Sequence, residues 1–295
     1  MPPGTPFRGF IHPYSIRVDE FSCSPEVPSA KLFMLSHTHT DHIVGLNAKS
    51  FSSKILCSRD AKAMLLAFEP LKERLLKDRD LVGEERSGRA FGHLAVKPVC
   101  VGTRVDYAGS RDLLMDGIRD FLKLVDLMPC NTVFFINSWT WGYEDIIIAM
   151  ARFFNCKACA LRSFVSSSFS SLCQVHVDRY KHVVYSRIAD EALQASITLD
   201  AASTHLHACE RFDRCEYAPK EGTVDGKPVV YINPVTFSVT KWTKYMQETM
   251  GQLKANSLPS CLLVPLARHS ALPELKSFVS LFRPRSIIPN TLDTS

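Results

Sequence analysis

The chain has 295 residues, 46% hydrophobic and 22% charged, proportions that exclude a disordered chain and allow one large domain or two closely associated ones. Its formal net charge of +5 permits a polyanionic partner without requiring one. No stretch approaches the roughly 20 apolar residues that cross a bilayer. Met1-Pro2-Pro3-Gly4 has no apolar run of the kind that opens a secretory signal. The ten cysteines are therefore expected as reduced thiols. Cys156 and Cys159 have zinc or redox spacing, but no second pair stands at a matching distance, and two incidental thiols are the plainer reading.

In chain order, Tyr14–Asp19 predicts a short strand and Lys31–Ser36 an apolar strand that ends in a polar loop, the way a buried strand delivers residues to a site. Lys54–Ser58 predicts another strand. Helical spacing follows from Arg59 to about Asp78, interrupted at Pro70, which lacks the N–H and clashes with the preceding turn. Residues 79–92 are charged and contain glycine, so a loop is expected there. Asp112–Leu127 carries Leu113, Leu114, Ile118, Phe121, Leu122 and Val125 on one helical face. Asn131–Asn137 predicts a buried strand, then a turn, then a helix over Glu144–Phe154, a unit that suggests a parallel α/β layer. Ala158–Cys173 is serine-rich and predicts a surface loop. Gln174–Val177, Val229–Asn233, Cys261–Leu266 and Ser286–Pro289 read as strands, Val239–Leu253 and Leu272–Phe282 as helices.

The segment with chemical content is Ser36-His37-Thr38-His39-Thr40-Asp41-His42, an H-x-H-x-D-H spacing at the end of an apolar strand. Imidazole and carboxylate suit zinc, manganese or a similar divalent ion. His37 and His39 are two apart, so on an extended backbone they point the same way. Asp41 and His42 then turn into the next element and can serve a second ion. Such a cluster is costly to desolvate without a cation. Asp19 ends the preceding strand. It reads either as a plain strand-end carboxylate or as the acceptor that fixes a ligand imidazole's tautomer.

With its surroundings, this motif resembles the β-CASP metallo-β-lactamase DNA-repair nucleases, the Artemis/Apollo, DNA cross-link repair type. The resemblance is carried by Val18-Asp19-Glu20-Phe21, Phe33-Met34-Leu35-Ser36-His37, Asp41-His42 with Gly45-Leu46, and Phe135-Ile136-Asn137. It continues through Trp141-Gly142-Tyr143-Glu144, His207-Ala208-Cys209, and Pro265-Leu266-x-Arg268-His269-Ser270. It implies an α/β fold: an incomplete metallo-β-lactamase αββα sandwich with an inserted β-CASP α/β domain. The implied boundaries are 1–115 for the N-terminal part of the lactamase core, 116–260 for the β-CASP-like domain and 261–295 for the return to the core.

The resemblance further implies zinc, with magnesium or manganese as alternatives, as one or two ions that activate water against a DNA phosphodiester. His37, His39, Asp41 and His42 would be the metal ligands, Asp41 and His269 catalytic, Asp19 the orienting carboxylate, and Ser270 and Tyr143 phosphate contacts. DNA that is single-stranded or carries 5′-phosphate ends is the implied partner, in strand-break or cross-link repair, and the nucleus the implied location. Arg211, Arg214, Lys241, Lys244, Arg283 and Arg285 could meet phosphate, or could simply form a solvated face.

Two departures weaken the expected catalysis. The family's His-Cys-Pro-Gly and Thr-Gly-Asp elements have no counterpart here. The text runs from Gly109-Ser110-Arg111-Asp112 straight into helix, so on the order of a hundred residues of the pattern are missing. Ala158–Cys173 interrupts an otherwise family-like run. A deletion plus a low-complexity insertion is the pattern of a missing exon and a retained intron. Without a bridging aspartate and a third histidine, each ion would have about two protein ligands, short of the three usual for catalytic zinc. Weak metal binding and little or no turnover are expected, and a non-catalytic DNA- or protein-binding remnant is the alternative. A hydrolase of small substrates fits the second half less well. Without the resemblance, His269 is a histidine satisfied by backbone, and His205 and His207, two apart on one strand face, are core or surface histidines before they are ligands.

Overall fold

The structure is a computed structural model and describes residues 6–22, 29–78, 91, 96–99, 108–162, 173–209, 217, 223–266, 276, 279–280, 283 and 285–287. The chain divides into two compact units, one of residues 1–105, 186–189 and 282–295, the other of residues 106–185 and 190–281.

The first unit is built on five strands: β1 (Phe10–Ile11), β2 (Ile16–Val18), β3 (Leu32–Leu35), β4 (Ile55–Ser58) and β5 (Val96–Val99). They lie side by side in chain order. Only the β1–β2 pair is antiparallel; the other three pairings are parallel. In β3, Phe33 and Leu35 point into the core and Leu32 and Met34 are half-buried, the period-2 alternation of a strand. Phe21, Phe33 and Phe51 pack their rings together at 5.0 to 5.8 Å, the spacing of stacked and edge-to-face pairs.

Ser58 ends β4 and caps α1 (Arg59–Ala67) by accepting the Ala61 amide at 3.1 Å. The predicted interruption at Pro70 is present: α1 stops at Ala67, and α2 runs over Leu71–Asp78. Among the described residues this unit contributes one sheet, so the opposing sheet of an αββα sandwich is not seen there.

The second unit alternates helix and strand: α3 (Ala108–Asp126), β6 (Val133–Ile136), α4 (Glu144–Arg162), β7 (Val175–His176), α5 (Arg179–Tyr185), α6 (Glu191–Ala195), β8 (Ile197–Thr198) and β9 (Leu206–His207). Then come β10 (Thr223–Val224), β11 (Lys227–Val235), α7 (Val239–Lys254) and β12 (Cys261–Pro265). The sheet order is β10-β11-β6-β9-β7-β8, with β12 beside β11. All pairings are parallel except the β10–β11 hairpin. Asp225 and Gly226 both take positive φ in that two-residue turn, the backbone that Asp-Gly favours there. All four residues of β6 are buried, as expected of an interior parallel strand.

Both units are mixed α/β, as the resemblance implies. Two expectations change. The helix after β6 extends to Arg162, so the first residues of the serine-rich stretch are helical and not loop. Residues 163–172 lie outside the described residues. The Asn155 side chain donates to the Cys173 carbonyl and accepts the Cys173 amide, which pins the returning chain to α4. The strand expected to open the return at 261 instead pairs with Tyr231–Val235 in the second unit. A Cβ on Gly117 would stand 2.7 Å from Pro265 Cγ, so α3 lies close against the end of this strand. The expected helix at Leu272–Phe282 and strand at Ser286–Pro289 fall largely outside the described residues.

Candidate metal centre

In the first unit, the motif leaves the end of β3 and turns into a short 3-10 segment, Thr40–His42. His39 is still extended (φ −63°, ψ 148°), so the chain turns between the His37/His39 pair and the Asp41/His42 pair. Gly45 follows at φ +90°, where an added Cβ would lie 2.5 Å from the Ser22 amide nitrogen. Only glycine lets this turn pack under the chain that leaves β2.

Asp19 ends β2 in a left-handed conformation, φ 55°, and its amide donates to Met34 O at 3.0 Å. This aims the buried carboxylate at the end of the neighbouring strand. Its Oδ1 accepts the Ser36 amide at 2.7 Å, and its Oδ2 accepts the Ser36 hydroxyl at 2.5 Å. The same Oδ2 lies 2.9 Å from His42 Nδ1. Burial alone would raise this carboxyl's pKa, but the hydrogen bonds from His42 and Ser36 outweigh it and hold the pKa below the ordinary value.

The protons can be assigned around the ring of contacts. The Ser36 hydroxyl donates to Asp19, so it accepts from His37 Nδ1–H at 2.8 Å. His42 donates Nδ1–H to Asp19. Each assignment leaves an Nε2 lone pair. His37 Nε2 lies 3.1 Å from His39 Nδ1, and His42 Nε2 lies 3.4 Å from Asp41 Oδ2. The His37 and His42 rings stand 3.9 Å apart, centroid to centroid. Burial, then the neighbouring His42 and His39, push the His37 pKa down to about 4, so this ring is neutral at neutral pH and keeps a lone pair for a cation.

Asp19, His37 and His42 each bring one ligand-type atom within 4.8 Å of the others. The donor set fits a divalent ion: two imidazole nitrogens with lone pairs, a third imidazole and a half-exposed carboxylate beside them. Asp19 already receives three hydrogen bonds, so its place is that of the carboxylate orienting a ligand imidazole.

His269 and Ser270 lie outside the described residues, as do Arg211 and Arg214. Tyr143 belongs to the second unit and is 6% exposed, so its ring offers little surface to a phosphate. The Gly142 amide is already taken by the Glu144 carboxylate, at 3.1 and 3.2 Å.

The second unit brings His207, which by sequence alone is a core or surface histidine, together with two residues from elsewhere in its sheet. His176, His207 and Cys209, all buried, bring ligand-type atoms within 4.8 Å of one another. His205 is turned to the Phe154 ring instead, 4.7 Å between centroids. The signal was present as His207-Ala208-Cys209, but nothing local links it to His176.

Residues 191–295 match the family model described as DNA repair metallo-beta-lactamase. That stretch includes β9, α7 and β12 and excludes the histidine motif. No curated protein matches the chain.

Proposed function

We propose that this chain is a DNA-repair protein of the β-CASP metallo-β-lactamase nuclease type, binding DNA and a divalent ion at His37, His39, Asp41 and His42, with little or no turnover. The observation that carries it is the chain of hydrogen bonds His42–Asp19–Ser36–His37, which leaves the Nε2 lone pairs of both imidazoles for an ion. The match of residues 191–295 to a DNA-repair family supports the DNA side of the reading.

A divalent ion, zinc by the nitrogen-rich donor set, would lower the pKa of a bound water and offset phosphate charge. The chain's own residues do the positioning. Asp19 fixes the tautomer and direction of His42. Ser36 does the same for His37 through its hydroxyl. Asp41, half-exposed, lies 3.4 Å from His42 Nε2, where it can accept a proton or complete the ligand set. Lys241 and Lys244 are exposed on α7 and supply charge for a phosphate backbone. Nuclear residence and a single-stranded or 5′-phosphorylated DNA partner belong to the same reading.

The test is cleavage of 5′-phosphorylated single-stranded DNA by the purified chain with zinc or magnesium, beside a His39→Ala control. The reading expects DNA binding that weakens as salt rises, and no cleavage above the control. Metal-dependent cleavage that disappears in the control would show a working nuclease centre and overturn the low-turnover part. Absence of DNA binding at low salt would remove the DNA assignment altogether.

A further inference from the structure

We propose that the carboxyl ends of β6 and β11, with the aromatic side chains at the start of α7, form a seat for the bases of single-stranded DNA. This rests on the DNA-binding half of the reading above and goes beyond it, by naming which part of the DNA the second unit takes and where.

The topology supplies the crevice. Tyr231 and Ile232 of β11 pair with β6 and with β12 at once, so those two strands flank β11 on opposite sides. The chain leaving β6 crosses through α4 to β7, away from β11. The chain leaving β11 crosses through α7 to β12, away from β6. Two neighbouring parallel strands whose connections run opposite ways leave a crevice outside their carboxyl ends. That is where open α/β sheets take their ligands.

Two carboxamides stand at its mouth. Asn137 is the first residue past β6, and Asn233 follows Ile232, the register partner of Ile136. Asn137 Nδ2 donates to Asn233 Oδ1, and Asn233 Nδ2 is spent on the Cys261 sulfur at 2.9 Å, a weak acceptor. At the other end, Asn137 Oδ1 is buried with no hydrogen-bond partner among the described residues. Exchanging nitrogen and oxygen in both amides moves the unmet need without removing it: the Cys261 thiol then donates to Asn233, and an Asn137 N–H is left over. Both asparagines are half-buried, so a small side-chain rotation, common when partners bind, brings the unmet group to a ligand. An amide that can offer either an acceptor or a donor suits the edge of a base, which carries both. A phosphate offers acceptors alone.

An aromatic wall adjoins the amides. Leu263, the register partner of Asn233, donates its amide to the Tyr245 hydroxyl at 2.8 Å. Tyr245, Trp242 and Phe237 lie ring against ring, 5.6 to 6.0 Å between centroids and 25° to 37° between planes. Phe237 precedes the Ser238 cap and packs on Trp242 inside the helix, the hydrophobic staple that fixes the entry to α7. Tyr245 adds a third ring that a staple does not need, and Phe237 and Tyr245 stay half-exposed. Trp242 is 9% exposed, and its indole N–H has no partner among the described residues. Lys241 and Lys244 are exposed on the same turns of α7. Aromatic faces for stacking, with cations beside them for the backbone, are the means by which single strands are held through their bases.

The test compares two probes on the full chain at low salt: a short single-stranded oligothymidylate, and an abasic strand of the same length and charge. The wild-type chain should hold the oligothymidylate at least about 10-fold more tightly. In Phe237→Leu, which keeps an apolar staple but loses the flat ring, that preference should fall several-fold towards one. On the wild-type chain, the side-chain amide NMR signals of Asn137 and Asn233 should move with the oligothymidylate and stay in place with the abasic strand. Equal affinity for the two strands overturns the base seat and leaves DNA binding standing. So does a preference that survives unchanged in Phe237→Leu, and so do amide signals that respond alike to both strands. Binding to neither strand removes the DNA reading, and the seat with it. Should Phe237→Leu fail to fold, the affinity ratio and the amide signals of the wild-type chain decide.

Discussion

Asp19 Oδ2 lies 2.9 Å from His42 Nδ1, although 23 residues separate the two in sequence. The contact exists because β2 and β3 are parallel neighbours, so both strands end at the same edge and present Asp19 and the histidine loop together. Replacing Asp19 by asparagine keeps the shape but removes the charge that favours Nδ1–H on His42. Zinc affinity at the motif is expected to fall about 10- to 100-fold. Competition with a metal-sensitive dye reads this directly. Unchanged affinity would reduce Asp19 to a strand-end cap for Ser36.

Gly45 is expected to tolerate no side chain. At φ +90°, with the Phe21–Ser22 backbone inside the space of a Cβ, Gly45→Ala combines backbone strain with a clash against main chain that cannot swing aside. A loss of about 2 kcal/mol or more in denaturant unfolding is expected. A midpoint equal to the parent's would mean the turn is free to rearrange.

Lys181 is fully buried and directs its ammonium at four oxygens, those of Ser138 (carbonyl at 2.9 Å and hydroxyl at 3.3 Å), Ala208 (2.7 Å) and Cys209 (3.0 Å). It thus ties the residues just beyond β6 to those just beyond β9. Lys181→Met fills the space and leaves the acceptors without their donor. Destabilisation of about 3 kcal/mol or more is expected. A near-neutral effect in equilibrium unfolding would show that water takes over those bonds.

The thiols should differ in reactivity. Burial pushes the Cys57 pKa up to about 11, so this thiol stays protonated through neutral pH. Cys130 and Cys156 are exposed. Alkylation at pH 8 followed by peptide mapping should label Cys130 and Cys156 well before Cys57. The sign for stability follows. Because the folded value is the raised one, the neutral Cys57 thiol favours the folded state fully below its unfolded pKa near 9, and that contribution is lost as pH rises through about 11. Equal labelling rates at pH 8 would contradict the burial of Cys57.

The sequence alone determined the strands that start or end the two sheets' central runs, at Lys31–Ser36, Lys54–Ser58, Asn131–Asn137 and Val229–Asn233, the helix break at Pro70, and the close spacing of His37, His39, Asp41 and His42. These are local properties: alternation along a strand, a missing N–H, a few residues between ligands. Tertiary structure decided the rest. Period-2 alternation treats His205 and His207 alike, yet β9 begins at Leu206, and only the registered partner of His176 meets a ligand-type neighbour. Nothing in the local sequence marks Lys181 as buried; the ends of β6 and β9 close over it. Asp19 reads as a strand-end carboxylate until parallel pairing brings Ser36 and His42 to it. Each of these depends on which distant strands lie side by side, and that is set by burying apolar faces across the whole sheet, a constraint that no window of local sequence contains.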